Sequence, residues 1–136
     1  MDKLMEFLPF MLEGAVVTVE LFVLTLVISL PLGLPIALGS NSRIKPLSFL
    51  CKVYVWIFRG TPLLLQIFFF YFFFPLVLHV RISAFLTVVL TYVLNYGAYF
   101  AEIYRGGINS IDKGQYEAAH ALGLSKRQTM IDIILP

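Results

Sequence analysis

Apolar positions in this chain fall into solid runs, not into alternation. Leu21 to Leu38 is 18 residues without a charge, Thr61 to Leu78 is another 18, and Ile82 to Ala101 is 20. A bilayer's hydrocarbon core of about 30 Å needs roughly 20 helical residues at ~1.5 Å each, a length every run reaches with its flanks. A membrane β-barrel would instead alternate apolar and polar positions over segments of about 10 residues. The block from Ile67 to Phe74, with seven consecutive aromatics from Phe68 onward, does not alternate. The pattern predicts an all-α integral membrane protein with three transmembrane helices, about 14–39, 53–78 and 82–104, after a short N-terminal segment, 1–11.

Breakers refine the picture. Pro31 and Pro35 fall inside the first run and mark a place where it kinks. A polar turn from Gly39 to Pro46 follows. Leu47 to Phe58 is apolar and aromatic but holds Lys52, so it enters the membrane obliquely before Arg59-Gly-Thr-Pro62 interrupts it. There Thr61 is expected as the N-cap, with Pro62 at the first helical position. His79 to Arg81 form a short outer turn.

After Gly106 the composition changes to small, polar and charged residues. A helix is expected over Ile111–Leu122, ended by Gly123. Ser125 to Gln128 fit a capping box that opens a second helix, with Met130, Ile131, Ile133 and Ile134 on its apolar side. On patterning alone this tail is an interfacial hairpin. Ala118 and Ala119 either allow another surface to approach closely or serve only as good helix formers.

Composition sharpens the class. Of 136 residues 60% are apolar, 15% aromatic and 13% charged, against about 25% charged in a soluble domain. Neither a soluble globular domain nor a disordered segment fits. A net charge of +2 is far short of a nucleic-acid-binding surface, so no nucleic-acid partner is expected. The lone Cys51 excludes a disulfide framework and a cysteine metal cluster. The first residues hold Asp2, Glu6 and Glu13 against Lys3, unlike a cleavable signal. Arg43, Lys45, Lys52, Arg59, Arg105, Lys113, Lys126 and Arg127 fall on one side of the predicted spans, and only Lys3 and Arg81 on the other. By the positive-inside bias the N-terminus lies outside and the tail in the cytoplasm, and the membrane is read as the plasma membrane of a prokaryote.

No catalytic set is visible: there is no phosphate-binding Gly-Lys-Ser/Thr loop and no nucleophile beside a base. His79 and His120 lie too far apart in this topology to share a metal and are read as surface residues. Polar groups within the spans are functional candidates by default. Glu20 either faces a translocation path, where it meets the amino group or cationic side chain of a solute, or snorkels near the outer interface. Gln66 and Asn95 each make an interhelical hydrogen bond or touch substrate. Glu102 and Arg105 are expected to form an ion pair near the inner interface.

The string EAAHALGLSKRQTMIDIILP, residues 117–136, resembles the EAA loop of ABC-importer permeases: Glu-Ala-Ala, three residues, Gly, nine residues, Ile, one residue, Leu-Pro. Glu117, Ala118, Ala119, Gly123, Ile133, Leu135 and Pro136 occupy all seven defined positions, a match expected by chance on the order of 10⁻⁸ per starting point. FRGTPLLLQIFFFYF (58–72) and AEIYRGGINSIDKGQYEAA (101–119) are similar to the polar amino-acid uptake branch of these permeases. The resemblance runs from about Leu12 to Pro136. It implies one transmembrane domain over 12–136 in the cytoplasmic (inner) membrane, with the loop, about 106–136, acting as a coupling helix.

The implied partners are a cytoplasmic ABC ATPase that carries ATP and Mg, a second permease subunit forming a homo- or heterodimer, an extracytoplasmic solute-binding protein and the bilayer itself. No cofactor is expected on this chain. Permeases of this branch carry five spans and are about half as long again, with the loop between the third and fourth. The resemblance therefore implies an N-terminal fragment or truncated gene product that does not transport alone. Other cargoes (a peptide, opine or metal chelate) remain open, because the loop does not encode cargo. A small membrane scaffold or a secondary carrier is the third class; secondary carriers commonly show inverted repeats around broken helices, and none is found.

Overall fold

The computed structural model describes residues 1–136, all helical apart from connecting turns. The first helix, α1, spans Asp2–Ser40; α2 spans Lys45–Gly60; α3 spans Leu63–Leu76; α4 spans Ala84–Asn109; α5 spans Lys113–Ala121; and α6 spans Lys126–Thr129, followed by a π turn, Met130–Ile134. Two helices, α1 and α4, are long and apolar enough to cross a membrane alone. The α2–α3 pair passes the same test of length and apolarity only when its two helices are taken together, with a 111° bend at the break.

Helix α1 starts well before the expected Gly14, so the predicted N-terminal segment 1–11 is helical. At 39 residues it is about 58 Å long, close to twice the hydrocarbon thickness. Its charged first third, with Asp2, Lys3, Glu6 and Glu13, therefore continues beyond the uncharged run. Pro9, Pro31 and Pro35 lie inside it without ending it. Each removes one backbone donor, yet the turns on either side keep their bonds.

Contacts along α1 and α4 advance together. Thr18 to Ser29 face Tyr92 to Phe100 across one groove, Gly33 meets Phe100 and Ala101, and the Asn41 amide donates to Asn109 Oδ1 at 3.0 Å. The two helices are therefore parallel. The chain crosses back between them, as the three-span expectation requires. Small residues bring the backbones together: a Cβ added at Gly33 would lie 2.9 Å from Phe100 Cβ and 3.0 Å from the Ala101 nitrogen. In lipid, where apolar surfaces gain little by meeting each other, such close backbone approach is what joins helices. The buried cluster is correspondingly small-sided: Ala37, Val55, Ala98 and Ala101, flanked by Tyr54, Phe58 and Tyr104. Tyr104 donates its hydroxyl to Leu30 O at 3.1 Å, and Tyr54 donates its own to Leu94 O.

Helix α2 lies across this pair. Cys51 seats on Gly39, Tyr54 reaches Leu94 and Gly97, and Arg59 reaches Tyr99 and Glu102. The second span is thus not one helix over 53–78 but an elbow. Thr61 is not its N-cap: α3 begins at Leu63 with Pro62 in the capping position. Extended backbone at both Thr61 and Pro62 separates the helices, as the residue before a proline favours. Helix α4 opens with a Ser83 cap that accepts from the Leu86 N–H at 3.2 Å, and runs five residues past the expected end at Tyr104. His79, in the turn before it, takes the left-handed conformation (φ 54°).

Candidate functional site

The C-terminal end of α4 leads straight into a hairpin. Helix α5 covers Lys113–Ala121, shorter at both ends than the expected 111–122, and closes with a complete Schellman turn. Leu124 N–H donates to Ala119 O and Gly123 N–H to His120 O, each at 3.0 Å, while Gly123 adopts φ +78°. A side chain at that φ crowds its own carbonyl, which is why glycine stands there. Ser125 then closes a capping box. Its Oγ accepts from Gln128 N–H at 3.1 Å, and Gln128 Oε1 accepts from Ser125 N–H at 2.9 Å.

The second helix differs from the expectation after one turn. It widens into a π turn with Leu135 N–H donating to Met130 O at 2.9 Å. A π turn inserts one residue and rotates the face by about 100°. Ile134 is therefore buried and Ile133 half-buried, whereas Ile131, expected on the apolar side, is exposed. Ile134, Leu135 and Pro136 line a groove of 650 Å³ with Leu30, Pro31 and Tyr104, so the tail folds back toward the inner ends of α1 and α4.

Glu117 and Ala118 are exposed on α5 and Ala119 is buried. The hairpin thus presents the Glu117 carboxylate and the small Ala118 side chain to the outside, on a frame held by the Schellman turn and the capping box. The pattern analysis did not single out Leu122, which is 79% exposed beside Gly123. Its signal was an apolar residue at a helix C-cap, where nothing of this chain can cover it.

The intramembrane candidates separate. Asn95 is buried and continues a stripe on α4 with Thr87 and Thr91, whose hydroxyls donate to Ser83 O and Thr87 O. Gln66 is buried at the elbow, where Nε2 donates to Phe58 O at 3.0 Å, Thr61 O at 3.2 Å and Thr61 Oγ1 at 2.7 Å. These acceptors include carbonyls that the break strips of helical partners, and in lipid each must be satisfied from within the protein. Glu20 is exposed on α1. The larger cavities do not bring these three together: Gln66 lines a 520 Å³ pocket in the elbow, and the outer groove of 460 Å³ between α1 and α4 is lined by Thr25, Tyr92 and Tyr96 among others. Thr25 is buried there with no hydrogen bond to its hydroxyl.

The expected Glu102–Arg105 pair forms at 3.4 Å, and Arg59 joins it from α2 at 3.6 Å, its guanidinium 5.6 Å from the Tyr99 ring centre. Arg59 was legible in principle: between Glu20 and Glu102 the sequence contains no acid, so Glu102 is the nearest carboxylate the fold can offer it.

This geometry is shared with known proteins. The chain is 40% identical over 127 residues to GlnP of Rickettsia prowazekii, provisionally assigned as a glutamine transport system permease, and covers 58% of it. It is 43% identical over 129 residues to the arginine transport system permease protein ArtQ of Bacillus subtilis, covering 59%. These alignments take in 93% and 95% of this chain. The crystal structure of an amino acid ABC transporter with histidines superposes on 98% of the chain with a TM-score of 0.86 and 36% identity, over 62% of that chain. The chain thus spans about three-fifths of the length of these relatives. Residues 29–136, from the small-residue half of α1 through the hairpin, match the binding-protein-dependent transport system inner membrane components, and the chain belongs to that family.

Proposed function

We propose that this chain is the permease part of an ATP-driven importer of polar amino acids, working by alternating access, with ATP and Mg bound on a separate cytoplasmic ATPase. The observation that carries this reading is the hairpin joined to the end of α4. Its Schellman turn, capping box and exposed Glu117 form a self-supporting projection on a transmembrane helix. A nucleotide-binding subunit that grips it moves α4 directly. Glu117 pairs with a cationic side chain of that subunit, Ala118 permits close approach while Ala119 packs inward, and Gly123, Ile133, Leu135 and Pro136 set the angle at which the chain returns to the membrane.

Names of relatives support the cargo class: GlnP and ArtQ are named for glutamine and arginine transport. An extracytoplasmic binding protein delivers the solute, a second permease subunit completes the pathway, and the N-terminus lies outside. On the solute path, buried Asn95 is the favoured polar contact. Gln66 holds the elbow instead, with its amide nitrogen already engaged.

The test is uptake of labelled glutamine and arginine into proteoliposomes that hold the permease carrying this sequence, its ATPase and its binding protein. Glu117→Lys and Gly123→Val are each expected to lower uptake and substrate-stimulated ATP turnover at least tenfold while membrane insertion stays normal. Unimpaired uptake in both variants would overturn the docking role. Uptake of neither amino acid by the unaltered system would overturn the cargo class.

A further inference from the structure

The outward face of α2 carries a pattern that transport coupling leaves unused. Lys45, Phe49, Lys52, Trp56 and Arg59 follow one another at steps of four and three residues and so fall on one stripe of the helix. Cation and aromatic alternate along it. The opposite side, with Tyr54, Val55 and Phe58, packs on α1 and α4. Trp56 is 76% exposed and Phe49 66%, and both lysines are exposed.

Arg59 turns to Glu102, but Lys45, Lys52 and Arg43, in the turn just before, have no carboxylate within 4 Å, and no acid occurs between Glu20 and Glu102. Because α2 meets α3 at 111°, it stands nearly perpendicular to the crossing that follows. A helix packed on the protein by one side, with cations and aromatics alternating along its exposed side, suits the boundary between headgroups and acyl chains, where charge and aromatic surface are both accommodated.

We infer that α2 docks anionic phospholipid headgroups. Lys45 and Lys52, with Arg43 beside them, hold the phosphate of a phosphatidylglycerol-type lipid, while Phe49 and Trp56 enter the acyl boundary next to it. Charge complementarity decides against an apolar protein surface as the occupant, since covering three unpaired cations with one would strip their water without compensation. The inference is independent of the cargo. Its leaflet is the one that faces the cytoplasm in the positive-inside reading.

Trp56 is the sole tryptophan, so its emission reports this stripe alone. The full chain is placed in phosphatidylcholine nanodiscs containing a small share of lipid brominated on the acyl chain, either phosphatidylglycerol or phosphatidylcholine. Brominated phosphatidylglycerol is expected to quench Trp56 at a several-fold lower fraction, about fivefold for each cation that reaches a headgroup. R43Q/K45Q/K52Q, which changes only exposed side chains, removes the preference, and R43K/K45R/K52R keeps it. Equal quenching by the two lipids in the unaltered chain, or an undiminished preference in R43Q/K45Q/K52Q, overturns the inference. Emission that neither lipid quenches would place a protein on the stripe and overturn it equally.

Discussion

Gly33 and Gly39 show how single positions set the helix spacing. At Gly33 the neighbouring atoms are backbone and Cβ, which cannot swing aside, whereas at Gly39 the nearest is Cys51 Sγ, 2.6 Å from an added Cβ. Gly33→Leu is expected to destabilise the fold by about 1–3 kcal/mol through overpacking, seen as a lower Tm in detergent. Gly14→Ala has no atom within 4 Å of the new methyl and lies in the same helix. It is expected to raise stability by about 0.5–1 kcal/mol by the ordinary preference of helix interiors for alanine. If both changes lower Tm alike, close α1–α4 contact is not what holds the pair together. Neither glycine was distinguishable in the sequence, because which of nine glycines meets a neighbour depends on the crossing.

At the scale of elements, the elbow and the hairpin contrast in legibility. The hairpin was readable because its signals are local: a serine three residues before a glutamine, and a glycine where a helix must stop. Its π turn was not, since nothing in Met130 to Ile134 differs in pattern from an α-helix. The elbow's position was marked by Gly60 and Pro62, but its angle was not, nor the role of Gln66, which reaches back from α3 across the break to Phe58 and Thr61. Gln66→Leu removes the donor from the Phe58 and Thr61 oxygens, at a cost of about 0.5–1.5 kcal/mol for each bond lost. Spin labels at positions 52 and 76 are expected to show a broader distance distribution in this variant. An unchanged distribution would mean that Pro62 alone fixes the bend.

For the molecule as a whole, the parallel course of α1 and α4 makes a statement about sides. Lys3 and His79 belong on one face of the membrane, Asn41 and Lys113 on the other. Single cysteines at these four positions in a Cys51→Ser background should be labelled by a membrane-impermeant maleimide in two groups, the first pair from outside intact cells and the second only after lysis. Position 113 labelling from outside would contradict the inward hairpin and, with it, any grip by a cytoplasmic ATPase. The all-helical, membrane-spanning character was legible from run lengths. The pairing of α1 with α4 was not, because the small residues that join them are scattered through apolar runs where they look like filler.

The closed hydrogen bonding of the hairpin bears on kinetics. A loop that must fold as it is captured loses chain entropy at that moment and binds more weakly for its area. Here the shape exists beforehand, so capture costs little ordering. Under the proposed docking, engagement and release would then recur rapidly, with the lifetime of each engagement set by the captor's own closing and opening.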